Sequence, residues 1–207
     1  MRVLVFGAAG KTGSAVVEAA LAAGHQVSAF VQHAEAYGKA GVRVFSGDAT
    51  HGNEVLQAVE GQDAVVDTIG GKTPYKGTTL EQTAAATIIS AMQQAGVRRL
   101  IATSMLGVGE STSNAPLYER LLVSTFLRGA EKDKTMMEDK VQSSGLDWII
   151  LRPAILTDDA AIGQVKVYPS GTDEKAHKIA RSDLANFIVA QLVDDTHLHQ
   201  AITVASS

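Results

Sequence analysis

Short runs rich in Val and Ile, at residues 2–6, 26–31, 42–45, 64–67, 99–103 and 147–151, alternate along this chain with segments of helical pattern at 11–23, 52–59, 79–95 and 129–144. The runs are almost continuously apolar, as strands buried on both faces must be. Gly24, Gly61, Gly96 and Gly145 each follow one of the helical segments, the usual stop at a helix C-terminus. Strand and helix repeated in this way predict an α/β fold, a doubly wound parallel sheet. Beyond Pro153 the pattern loosens. "VKVYPSG" reads as a strand and turn, 184–193 as a helix with Asp183 as its N-cap, and "QAITVA" as a last strand. With no internal repeat, low-complexity stretch or linker, residues 1–207 are expected to form one domain with a small C-terminal elaboration.

Composition narrows the function classes. An apolar content of 45% with 19% charged residues is enough for a sizeable core. A net charge of −4 argues against nucleic acid or an anionic membrane as partner, because either needs a basic excess. The absence of cysteine excludes disulfides, thiolate zinc sites and cysteine nucleophiles, and it suits a reducing cytoplasm. The N-terminal apolar run is too short for a secretory signal, and no stretch reaches the ~20 apolar residues of a membrane span. A soluble, cytoplasmic protein acting on a small molecule is expected.

The first strand runs into "GAAGKTGSAV", which carries two overlapping signatures. "GKT" ends a nucleoside-triphosphate phosphate loop, but that loop needs a glycine at position 5, where this chain has Val5. The spacing Gly7-x-x-Gly10-x-x-Gly13 fits a dinucleotide-binding turn between a strand and a helix. In that reading Gly7 makes the tight turn, Gly10 admits a pyrophosphate close to the backbone, and Gly13 lets helix and sheet approach. The helix N-terminus supplies N–H donors and partial positive charge.

"VLVFGAAGKTG" with "GHQVSAFV", "FSGDAT", "GQDAVVDTIGG", "AGVRRLIATSM", "SGLDWIILRPAIL" and "IARSDLANFIV" resembles, in order and over nearly the whole chain, the atypical short-chain dehydrogenase/reductases. The nearest group is the NAD(P)H-binding, biliverdin reductase B/flavin reductase-like one. The resemblance implies a Rossmann-type domain in which Gly7, Ala9, Gly10, Lys11, Thr12 and Gly13 hold the pyrophosphate. It implies that Asp48 and Ala49 meet the adenine and that Thr68, Ile69, Gly70 and Gly71 pass the riboses. Pro153, Ala154 and Ile155 would border the nicotinamide amide, and Ser104 would take the place of the family's active-site serine.

NAD selectivity usually comes from an acid about 20 residues past the glycines. Here the second strand ends "AFVQH", without one. Gln32 stands where relatives that prefer NADP(H) often carry Arg, and His33 and Lys11 are candidate cations for a 2′-phosphate. NADP(H) is therefore favoured over NAD(H).

The wider family pairs a Tyr with a Lys four residues on, the lysine lowering the pKa of a tyrosine that works as acid or base. Aligned on "SGLDWIILRP", the lysine falls at Lys134 and the tyrosine at Ala130. Ser104 and Lys134 remain as catalytic candidates. Tyr118 reads as a packing residue and Glu138 as the i,i+4 partner of Lys134. Residues 107–128 are long for a connection and read as a substrate-side lid. Asp158–Asp159 and His197/His199 lack the partners of a metal site and read as surface, with Arg181 exposed or salt-bridged. Without the tyrosine, reduction of a flavin, quinone or conjugated tetrapyrrole is favoured over alcohol chemistry. A non-catalytic cofactor sensor is the alternative. A nucleotide-sugar epimerase stands third, since it needs the missing tyrosine.

Overall fold

The computed structural model describes residues 1–71, 77–169 and 171–206. The expected strands form β1 (Arg2–Phe6), β2 (Gln26–Val31), β3 (Val42–Ser46), β4 (Ala64–Asp67), β5 (Arg99–Thr103) and β6 (Asp147–Pro153). The helices between them are α1 (Lys11–Ala22), α2 (Gly52–Val59), α3 (Leu80–Ala95), α4 (Leu117–Thr125) and α5 (Arg128–Gln142). The C-terminal part adds β7 (Ile155–Thr157), β8 (Val165–Tyr168), β9 (Lys178–Ala180), α6 (Arg181–Ala190) and β10 (Gln200–Ser206). Eight strands make one sheet in the order β3-β2-β1-β4-β5-β6-β10-β8, parallel except where β8 runs against β10. A separate parallel pair, β7 and β9, lies outside it.

Alternate residues along each strand feed two cores. Val3, Val5, Val66, Ile101 and Ile149 face α1 and α6, meeting Val16, Val17, Leu184 and Ile188. Leu4, Phe6, Val65, Leu100 and Ile150 face α2, α3 and α5, meeting Val55, Ile88, Met92, Met137 and Val141. This double burial is why the inner strands lack a polar face. β3, expected to be buried on both faces, lies at the sheet edge and has no fully buried residue. Gly24, Gly61, Gly96 and Gly145 all take positive φ at or just past the helix ends.

The structure departs from the sequence reading at several places. Residues 107–128 contain a 3-10 turn (Gly109–Ser113) and α4. Helix α6 begins at Arg181, so Asp183 lies inside its first turn and makes no cap. Its carboxylate, 2% exposed, instead accepts the N–H groups of Ile162 and Gly163 at 3.0 and 2.9 Å, fastening the loop before β8. β7 and β9 are too short to register as apolar runs. The turn expected in "VKVYPSG" includes Ser170, outside the described residues. Among the described residues no helix is long and apolar enough to cross a membrane.

Candidate cofactor cleft and active site

The strand order reverses between β1 and β4, and the loops leaving their carboxyl ends part there, which in open α/β sheets is where ligands bind. A cleft of about 840 Å³ opens at this point. Its floor is the glycine turn between β1 and α1. Gly7 has φ +72°, and a Cβ there would stand 2.8 Å from the Thr68 backbone. A Cβ on Gly13 would lie 2.7 Å from the carbonyl carbon of Gly7 and from Thr68 Oγ1, so helix and strand ends meet at a distance that only glycine allows. Thr68 completes the junction, donating its hydroxyl to the Phe6 carbonyl at 2.7 Å. The first-turn N–H groups of α1, which have no partner within a helix, face the resulting cradle. Backbone approach and N–H donors together fit a dinucleotide pyrophosphate.

The cleft gathers most of the expected cofactor residues: Gly7, Ala9, Gly10, Lys11 and Thr12 of the turn, Gln32 and His33 after β2, Asp48 and Ala49 after β3, and Thr68 to Gly71 after β4. Gly13 sits behind the turn. Asp48 ends its strand in a local turn. Its Oδ1 accepts the N–H and hydroxyl of Thr50, each at 2.8 Å, and these bonds hold its carboxyl below the usual range. Beyond β2, His33 Nδ1 lies 3.5 Å from Glu35, and Lys39 is engaged by Glu18. Pro153, Ala154 and Ile155 lie outside this cleft. The carbonyl of Pro153 accepts from Leu106 and the N–H of Ala154 donates to Val204, while Ile155 is exposed. Tyr37 and Arg181 also line the cleft, and sequence reasoning missed both as cleft residues. Tyr37 stands in an irregular loop without a motif. Arg181 had only its place at the start of a helix to mark it.

Beside the cleft, where β4, β5 and β6 end, the sheet carries a buried charged layer. Lys134 pairs with Glu81 at 2.7 Å and donates to the Thr103 carbonyl at 3.1 Å. Glu138 is not its partner, contrary to expectation. Both Glu138 oxygens bind Arg152 of β6, at 3.0 and 2.6 Å, because that guanidinium projects from the sheet onto α5 and offers a two-pronged fit. Glu81 also accepts the Gly71 N–H at 3.0 Å, tying the cleft wall to Lys134. Asp133 accepts the N–H groups of Glu81 and Gln82, both at 3.0 Å, and so caps α3 from α5. Asp67 accepts the Ile69 N–H at 2.9 Å, and burial pushes its carboxyl up to about 6.

Ser104 is 5% exposed, and its hydroxyl is buried without a hydrogen-bond partner among the described residues. Ala130, where the resemblance puts the family's tyrosine, packs as a buried residue. Tyr118 is 55% exposed on α4, and so is not the packing residue expected. Asp158 and Asp159 pair with separate cations, and no group of metal-ligating side chains occurs among the described residues.

A glycine-cradled cleft at the switch point of a doubly wound sheet defines a dinucleotide-binding protein of Rossmann type. The sequence profile of the NAD(P)H-binding family matches residues 7–195, and the chain belongs to that family. The uncharacterized protein YwnB of Bacillus subtilis is 24% identical over all of this chain and 99% of its own. ChuY of Escherichia coli O157:H7, described as an anaerobillin reductase, is 30% identical with a TM-score of 0.81, covering 100% of this chain and 97% of that one. A short-chain dehydrogenase/reductase of Veillonella parvula, solved with NADP, shares the fold at 18% identity and a TM-score of 0.83, covering 99% of this chain and 94% of that one.

Proposed function

We propose that the protein is an NAD(P)H-dependent oxidoreductase that reduces a planar acceptor of the flavin, quinone or conjugated tetrapyrrole type, with NADP(H) favoured over NAD(H). The carrying observation is the state of Lys134. A buried Glu81 carboxylate and the Thr103 carbonyl occupy its ammonium, and the residue one turn before it is a buried alanine. A lysine held this way has no tyrosine to activate, so the site is not built to move a proton on or off an alcohol oxygen. The nicotinamide cofactor, when bound, supplies the hydride, and a conjugated acceptor takes its proton from solvent.

The chain's own residues do the rest. The glycine turn and α1 grip the phosphates, and Gln32 and His33 meet the 2′ position without an opposing strand-end acid. The loop at Thr68–Gly71, held by Asp67 and Glu81, lies along the riboses. Ser104, just past the end of β5, is the polar group we assign to the acceptor, its buried hydroxyl being without a partner among the described residues. The 30% identity to a protein described as an anaerobillin reductase supports a reductase of conjugated acceptors.

NADPH oxidation followed at 340 nm against a panel of flavins, quinones and linear tetrapyrroles tests this reading. Turnover of at least one acceptor is expected, with NADPH preferred to NADH. Tight NADPH binding with no turnover of any acceptor would overturn it in favour of a cofactor sensor. The exposed apolar side chains of α4 (Leu117, Tyr118 and Leu122) and of Phe126 just past it give that second reading a surface for a protein partner.

A further inference from the structure

Two cations that line the cleft already share a carboxylate. Lys11, the first residue of α1, and Arg181, the first of α6, both line the cleft. Asp158 stands between them. Lys11 Nζ lies 2.7 Å from its Oδ2, and Arg181 donates to its Oδ1. The lysine bond is foremost in holding the Asp158 carboxyl below its usual range. The loop that follows Asp158 is fastened where buried Asp183 holds the N–H groups of Ile162 and Gly163. Asp159 pairs with Lys178 at 3.1 Å, an exposed contact of little weight. The Asp158 carboxylate thus sits on two of the cations that line the cleft, Lys11 and Arg181. Lys11 and Asp158 are both mostly exposed, and such pairs add little to fold stability, so the arrangement needs another account.

We propose that Asp158 is a resident counter-anion that engages Lys11 and Arg181 until the phosphates of a dinucleotide take them over, and that it thereby sets the affinity of the cleft. This rests on the reading of the cleft as a dinucleotide site. Among the described residues, Lys11, Arg181 and Asp158 together carry a single net positive charge. Without it, both cations face the incoming pyrophosphate, and the repulsion between carboxylate and phosphate is gone. Asp158 therefore weakens binding and makes release easier.

The test compares Asp158→Asn, Asp159→Asn and the unaltered protein, titrated with NADPH and with NADP+ by nicotinamide fluorescence and calorimetry at low and physiological salt. Asp158→Asn is expected to lower Kd about three- to fivefold at low salt, with the gain shrinking as salt rises. Asp159→Asn, which removes a neighbouring charge paired elsewhere, is expected to bind like the unaltered protein. Unchanged or weaker binding in Asp158→Asn overturns the proposal, because the carboxylate would then be idle or act as a clamp. An equal gain in both variants also overturns it, since bulk charge would be the cause. If none of the three proteins binds either dinucleotide while circular dichroism shows them folded, the cofactor reading fails and takes this proposal with it. Equal, measurable affinities in all three overturn the counter-anion alone.

Discussion

Asp67 ends β4 with a carboxyl group that water does not reach, and this one side chain makes stability depend on pH. Burial is the largest influence on it. The Ile69 N–H and Lys134 pull its pKa down, Glu81 pushes it up, and the result is about 6 against 3.8 in a free chain. As pH rises from 4 to 6 the unfolded chain gives up this proton before the folded one does, so stability falls across that window. The loss amounts to about 3 kcal/mol, at 1.36 kcal/mol per pKa unit, and stays constant above pH 6. Asp67→Asn keeps an oxygen for the Ile69 N–H and removes the ionisation. Chemical denaturation should find this variant more stable than the unaltered protein at pH 7.5 and close to it at pH 4. A gain of equal size at both pH values would mean that the effect is not electrostatic.

Two glycines of the same turn separate a structural from a binding role. A methyl on Gly13 meets backbone atoms that no rotamer change can move aside, so Gly13→Ala should destabilise the fold by on the order of 3 kcal/mol. At Gly10 the nearest obstacle is the Gly7 carbonyl oxygen, 3.2 Å from where the Cβ would be, which asks for a small shift only. Gly10→Ala should therefore leave the melting temperature within a few degrees of the original while weakening NADPH binding roughly tenfold or more, as the methyl enters the cradle. A melting temperature that falls equally in both variants would contradict this division.

At the scale of elements, the buried charged layer joins α3 and α5 to the sheet ends. Asp133 does for α3 what no residue of that helix does for itself: Thr79 precedes the first turn without a side-chain cap. Asp133→Ala removes two charge-assisted bonds and should cost about 1–3 kcal/mol. Because Glu81 then loses its backbone anchor, protection of the Gly71 amide in hydrogen exchange should fall as well. The pair Arg152 and Glu138 behaves differently. Arg152→Met strands a buried carboxylate and should cost about 3–5 kcal/mol, whereas Arg152→Met with Glu138→Leu should recover most of it. A double-mutant cycle in denaturant measures the difference.

These contacts also mark what the sequence could tell. The first six strands and the glycine turn were legible because each leaves a local trace: an apolar run, or three glycines at fixed spacing. The partners of Lys134 and Glu138 were not. A carboxylate one turn away on the same helix looks like the natural partner, but Arg152 reaches Glu138 from a buried strand, and Glu81 reaches Lys134 from another helix. Thr78 and Glu81 have the spacing of a local cap, yet the Glu81 side chain turns away to Gly71 and Lys134. An acid in the first turn of a helix that faces a sheet end was the available hint. Asp183 misled for a similar reason, because a carboxylate near a helix start reads as a cap whether it serves that helix or a neighbouring loop.

At the scale of the molecule, the two apolar cores share the strands of one sheet, so neither can come apart without exposing the back of the other. The cofactor cleft lies over the middle of that sheet, between β1 and β4, and its walls come from loops that follow four of the first five strands and from the start of α6. Ligand bound there is coupled to both cores, and unfolding should be a single transition that moves as a unit. A ligand at 100 times its Kd adds about 2.7 kcal/mol to the folded state, and for a chain of this size each kcal/mol raises the melting temperature by about 2–4 °C. Calorimetry with saturating NADPH should therefore show one peak displaced upward by roughly 5–10 °C. NADH at the same concentration should displace it less, because the end of β2 presents Gln32 and His33 and no acid to hold a free 2′-hydroxyl. Two resolved transitions, of which NADPH moves only one, would show that the cores unfold independently. A larger displacement by NADH would reverse the proposed cofactor preference and leave the fold argument intact.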